Sequence, residues 1–371
     1  MEVKCKTITP IFIGCGDEYS PLDYYIVGKT AKIIDLEKAM MSLKNIDDIN
    51  YLSELIKSYI YNNRLEVNVK DLLKEVGIDA EKYVIREVEC EIEEHRNIKV
   101  KKFINQNGFP YIPGSSIKGA IRTAYIFDYY DDKKRIYELI DILKRRDIEI
   151  WKKGEAVVKN AISKNIQDDF FKHLIVSDSE CLNGKFKFIM TKRWNIKKRK
   201  LQVPTPLEAF MNNNEFNLRI IIKDEFIKEM FKKTERTYKD MDEKKKFDEL
   251  KRMCNKLTET VIDFELEREN NENLKKFYKD LKNKLNNKEI YLNVGFGGGF
   301  LTKTIYLLLW KYDKGNKYLN LMKKIFRNEK NKNLRTSWNK TYKYYDFPKT
   351  KTVYVKDDEI ISPLGWIKIN Y

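Results

Sequence analysis

The sequence predicts an α+β chain of two units, each with an antiparallel sheet, interrupted by helical insertions. Three observations predict it. Short alternating apolar runs recur in both halves, stretches with helical apolar spacing separate them, and each half carries one strand, glycine-bearing loop and basic helix start. The units are 1–176 and 177–371, with helical insertions at 36–76 and 225–287.

Residues 2–14 read as a strand, and Gly16, Asp17 and Glu18 as a polar turn leading to short strands at 24–27 and 31–34. Leu52, Leu55, Ile56, Tyr59 and Ile60 then follow helical spacing. Alternation returns at 82–92 and 99–105, and an Asn107-Gly108 turn delivers the chain to a helix opening near Ser115. Further helices are expected at 133–151 and 155–165, and strands at 185–190 and 216–223. Between 225 and 287 the chain is dense in Lys, Glu and Asn, with Phe247, Leu250, Met253, Leu257, Val261 and Phe264 at helical spacing, which reads as a long helical insertion with a solvated face. A strand at 290–294 runs into Gly295, Gly297, Gly298 and Gly299, and a helix over 302–310 repeats the architecture of the first half, with Lys303 and Thr304 at its start.

Composition narrows the function. The 371 residues are 42% hydrophobic, enough for sizeable cores, and 73 Lys and Arg against 56 Asp and Glu give a net charge of +17. Such an excess favours a polyanionic partner. Cys5, Cys15, Cys90, Cys181 and Cys254 are scattered with no C-x-x-C, so neither a disulfide framework nor a metal site is expected, and the compartment reads as reducing and cytoplasmic. No apolar run is long enough to cross a bilayer, so no membrane partner is expected. With only His95 and His173, an acid-base ribonuclease built on a histidine pair would have to use both, and nothing in the sequence brings them together. No cofactor motif is complete: Ala120 and Ile121 stand where a Walker loop needs lysine and Ser/Thr, and Phe300 replaces the last glycine of a dinucleotide fingerprint.

The most informative stretch is Pro113-Gly114-Ser115-Ser116-Ile117-Lys118-Gly119-Ala120-Ile121-Arg122. Pro113 and Gly114 break the preceding strand, and either serine is a candidate cap for the helix that follows. Helix amides, serine hydroxyls, Lys118 and Arg122 one turn later together suit a phosphate. The plainer alternative is a loop-to-helix junction whose lysine points into water.

These residues carry a family resemblance. Thr9-Pro10-Ile11-Phe12-Ile13-Gly14-Cys15-Gly16, the Tyr111–Arg122 stretch, and Gly295–Gly299 followed by Lys303-Thr304 together resemble the RAMP superfamily of CRISPR-associated RNA-binding proteins. Phe347-Pro348-Lys349-Thr350 and Pro363-Leu364-Gly365-Trp366 narrow the likeness to the cap subunit of the Csm, or type III-A, effector complex. The resemblance implies two ferredoxin-like, RRM-like units whose glycine-rich loops hold CRISPR guide RNA by its backbone. It also implies a place at the 3′ side of the guide next to RAMP backbone subunits, support of guide maturation by trimming nucleases, and no cleavage by the subunit itself. Gly114, Ser115, Ser116, Lys118, Gly119, Arg122, Gly295, Gly297, Gly298, Gly299 and Lys303 are the expected RNA contacts. Gripping phosphates without reading bases suits a guide whose sequence varies.

Two further sets of residues are candidates. Lys192, Arg193 and Trp194, followed by Lys197-Lys198-Arg199-Lys200, combine cations with an aromatic that could stack a base, or form a solvated connection. Arg335, Trp338, Lys340, Tyr342 and Lys343 make a weaker patch. Pro21-Leu22-Asp23-Tyr24-Tyr25-Ile26 resembles the context of a cleaving aspartate in related backbone subunits, which makes a metal-dependent ribonuclease using Asp23 the alternative function. Against it, no second carboxylate stands at a telling spacing, and turn or capping chemistry accounts for Asp17, Asp23 and Asp35.

Overall fold

The computed structural model describes residues 1–62, 68–92, 98–163, 165–285, 288–313, 317–326 and 346–371. His95 and the patch 335–343 lie outside the described residues. Two sheets organise the chain. The five-stranded sheet has the spatial order Ile290–Asn293, Trp366–Asn370, Glu2–Thr7, Glu215–Ile222, Leu174–Val176, with every pairing antiparallel. Helices Gly114–Tyr130 and Glu243–Arg268 pack against each other and against this sheet. Strand, helix, strand, strand, helix, strand in chain order is the ferredoxin-like arrangement, with Trp366–Asn370 intercalated.

The larger, nine-stranded sheet runs Gly14–Tyr19, Val100–Phe103, Lys200–Phe210, Phe186–Asn195, Val84–Cys90, Thr30–Ile34, Tyr24–Val27, with Thr350–Lys356 and Glu359–Pro363 pairing from the side. Its pairings are antiparallel except for Val84–Cys90 with Phe186–Asn195 and Val100–Phe103 with Lys200–Phe210. The α+β class with antiparallel sheets therefore stands.

The expected boundary at 176/177 does not separate the sheets. Each draws strands from both sides of it, and Glu2–Thr7 pairs only with strands of the second half, for instance Cys5 with Phe216 on one flank and Ile369 on the other. Several other elements also differ from expectation. The turn through Gly16 to Glu18 lies inside strand Gly14–Tyr19, where a bulge between Gly14 and Glu18 is eased by Gly16 at φ +102°. Pro204 and Pro206 disguise strand Lys200–Phe210, which tolerates them beside a bulge between Thr191 and Arg193.

The two insertions also differ. Helices Leu36–Met41, Ile46–Asn62 and Val69–Glu75 close a satellite core of Tyr25, Ile34, Ala39, Leu52, Val69, Leu72, Leu73 and Ala80. In the second, helix Glu243–Arg268 is a main-core element: Phe247, Leu250, Met253, Leu257, Val261 and Phe264 are all buried. Its charged residues are held in intramolecular pairs such as Arg252 Nη2 to Asp128 Oδ2 at 2.6 Å.

Candidate nucleic-acid interface

Helix Gly114–Tyr130 begins at Pro113, which acts as N-cap without a side-chain hydrogen bond, so Ser115 and Ser116 lie inside the first turn and neither caps it. The Gly114 amide donates to Asp178 Oδ1 at 2.8 Å, and a Cβ on Gly114 would stand 2.3 Å from the Val176 carbonyl oxygen. Gly114 is thus fixed by close packing, and a carboxylate of the chain itself already occupies the positive helix end. What remains open is the face spaced one turn apart: Ser115 and Gly119 are exposed, and Lys118 and Arg122 half-buried. Burial lowers the Lys118 pKa, and among the described residues no carboxylate lies within 4.0 Å of its ammonium. Arg122 Nη1 meets Asp169 Oδ2 at 2.7 Å, with its guanidinium 5.1 Å from the centre of the Phe171 ring, which orients the fork while leaving donors free.

The second glycine loop is closely packed. Gly295 (φ +69°) and Gly297 (φ +100°) hold left-handed conformations, and a Cβ would meet the Phe12 carbonyl oxygen at 2.4 Å and Leu364 Cβ at 2.5 Å. A Cβ on Gly298 would meet Asn293 Oδ1 at 1.9 Å. The Phe296 amide donates to Phe12 O at 2.8 Å, and Asn293 Nδ2 to Leu364 O at 2.8 Å. Only Gly299 faces open space. Lys303 is exposed as a residue, its ammonium lies 3.4 Å from the Asn293 carbonyl oxygen, and burial lowers its pKa.

Under this loop lies a buried ion network. Glu265 and Arg268 pair at 2.8 Å, Lys351 bridges Glu265 and Glu269, and Glu269 also accepts from Trp194 Nε1 at 3.1 Å. Burial by itself would raise the Glu265 pKa, but Arg268 and Lys351 outweigh it and hold it at about 2.

The two motifs meet. Helix Gly299–Lys303 packs on helix Gly114–Tyr130, and Arg122 and Lys303 line one cavity of about 440 Å³. Helix Ile150–Ala161 adds Lys153 and Gly154 to its wall, residues the sequence reading missed although an isolated glycine inside an amphipathic helix was a legible signal.

Lys192, Arg193 and Trp194 sit elsewhere, on the hairpin of Phe186–Asn195 with Lys200–Phe210. Trp194 is 8% exposed, donates its indole N–H to Glu269, and lines a cavity with Lys192, Arg199 and Lys200. Lys192 pairs with Asp358 at 2.5 Å, while Arg193, Lys198, Arg199 and Lys200 are exposed. Asp23 Oδ2 accepts from the Ser20 amide at 2.6 Å and the Ser20 hydroxyl at 2.7 Å, the turn chemistry foreseen for it, and Asp35 caps helix Leu36–Met41. Asp17, Glu18 and Asp23 do line one cavity with Arg86 and Lys102, but among the described residues no group of three His, Cys, Asp or Glu side chains is arranged to hold a metal ion. Among the described residues no helix is long and apolar enough to cross a membrane.

The glycine loops, the basic helix face and the ferredoxin-like sheet have a family counterpart: the RAMP superfamily model matches residues 4–302, and the chain belongs to that superfamily. Over its whole length it is 52% identical to the CRISPR system Cms protein Csm5 of Methanocaldococcus jannaschii, covering 88% of that protein. It is 26% identical to Csm5 of Streptococcus thermophilus over 64% of this chain and 70% of that one. Among solved structures, a chain of the type III-A Csm–crRNA–target RNA ternary complex shares the fold with a TM-score of 0.71 at 22% identity, each chain covered in full. Crystalline T. onnurineus Csm5 shares it with a TM-score of 0.63 at 18% identity, covering 98% of this chain and 99% of that one.

Proposed function

We propose that the chain is a non-catalytic, cytoplasmic RNA-binding subunit of a type III-A CRISPR effector complex. In this reading it caps the 3′ side of the guide RNA beside RAMP backbone subunits and supports guide maturation by trimming nucleases. The observation that carries it is the packing of helix Gly299–Lys303 on the helix that presents Ser115, Lys118, Gly119 and Arg122, with Arg122 and Lys303 lining one cavity. Cations and a bare backbone can grip phosphates of any sequence. The likeness to Csm5, and to a chain from a complex that contains crRNA and target RNA, supports the same assignment.

Reversing charge at both Lys118 and Arg122 tests it by filter binding of single-stranded RNA across a salt series. Affinity should fall, and the salt slope should shrink by about 0.7 for each phosphate no longer neutralised. An unchanged slope would remove the helix face from the interface. The ribonuclease alternative has little support in geometry, because the Asp23 carboxylate is engaged by Ser20. Magnesium-dependent cleavage of guide-matched RNA that vanishes in Asp23→Ala would replace the present reading.

A further inference from the structure

The cavity of about 440 Å³ beside the helix face is apolar inside and basic at its edge. Ile126, Val157, Phe300 and Tyr306 are among its walls, with Arg122, Lys153 and Lys303 set around them. Two of its three cations, Lys153 and Lys303, have no carboxylate partner among the described residues. Arg122 has Asp169 at 2.7 Å, as Lys187 has Glu91 at 2.8 Å, Lys256 has Asp128 at 3.0 Å and Lys351 has Glu269 at 2.7 Å elsewhere. Lys153, only 6% exposed, meets no carboxylate within 4.0 Å among the described residues and donates to the carbonyls of Leu143 at 2.7 Å and Arg145 at 2.5 Å. Lys303 likewise has only the Asn293 carbonyl among the described residues. Two cations without a carboxylate partner beside an apolar hollow suit an anion with an apolar body.

Gly154 is the second observation. It lies in helix Ile150–Ala161, where glycine weakens a helix relative to alanine, yet a Cβ there would meet nothing within 4 Å. No neighbouring atom among the described residues requires this glycine, and its effect is to leave the cavity mouth clear.

Building on the RNA-binding reading, we propose that the cavity receives the base of one nucleotide, whose phosphate rests among Arg122, Lys153 and Lys303. The walls offer aromatic and aliphatic surface and little hydrogen-bonding edge, so the site accepts any base, as stacking sites do. The nucleotide comes either from the bound strand or from a free mononucleotide.

Gly154→Leu is the test, since it blocks the mouth while favouring the helix, and Gly154→Ala controls for the backbone. Both variants should melt no lower than the parent chain. Single-stranded RNA should bind Gly154→Leu at least about fivefold more weakly with a salt slope smaller by no more than about 0.7, because one nucleotide is shut out while the other phosphates stay gripped. Adenosine 5′-monophosphate titrated alone distinguishes the sources. Saturable binding abolished by Gly154→Leu identifies the free nucleotide, and loss confined to the RNA identifies the strand. If Gly154→Leu changes neither affinity while Lys118→Glu still weakens RNA binding, the cavity proposal is overturned and the interface survives. If wild-type chain binds no RNA, the interface reading fails as well.

Discussion

Gly114 and Gly119 sit five residues apart on one helix and do opposite things. At Gly114 an added Cβ would strike the Val176 and Ser177 carbonyls, so Gly114→Ala should destabilise the fold by about 1–3 kcal/mol, measured by denaturant melts. At Gly119 the added Cβ meets open space, so Gly119→Ala should stabilise the chain by up to about 1 kcal/mol. If RNA lies on this face, the same substitution should weaken RNA binding despite the gain in stability. Equal or tighter binding would mean that no backbone approaches there. The helix start was legible in the sequence because Pro113, Gly114 and the apolar spacing after them are local signals. That Asp178 captures the first amide was not, since the two residues are 64 apart and only the fold joins them. The partner of Trp194 was hidden for a related reason: composition cannot show that Glu269 takes its indole N–H.

The second glycine loop owes its shape to what supports it. Phe12, Leu364 and Asn293 set its glycines, and the Glu265, Arg268, Lys351 and Glu269 network lies beneath it. Lys351→Met leaves two buried carboxylates with less compensation and should cost about 3–5 kcal/mol in chemical denaturation. The same network sets an acid limit. Glu265 titrates at about 2 when folded against an ordinary 4.5, so between those values the unfolded chain binds the extra proton. Its contribution is therefore complete above about pH 4.5 and is lost as pH falls towards 2, and Lys351→Met should flatten that slope. A mutant whose stability follows pH as the parent does would show that Lys351 does not hold Glu265 ionised. Sequence periodicity identified the buried face of helix Glu243–Arg268 residue by residue, but its dense charge suggested an appendage, because pairing across elements is invisible in a linear chain.

At the scale of the whole molecule, the sheets interleave. Class and insertions were legible, since alternation and helical spacing are local. The partner strands were not: Cys5 lies beside residues 211 and 364 positions away. A fragment 1–176 would lose both neighbours of Glu2–Thr7 and should show no cooperative thermal transition by circular dichroism, whereas a cooperative melt would restore the division at 176/177. The interleaving also brings the helix opening at Gly114 against the loop ending at Lys303, and on that meeting the RNA-binding account rests. Photocrosslinking of guide RNA to the full-length chain, with the attached peptides sequenced, tests it most directly. The account predicts crosslinks within 115–122 and 299–303; crosslinks confined to the 196–200 hairpin tip or the Asp23 cavity, with both of those segments bare, would contradict it.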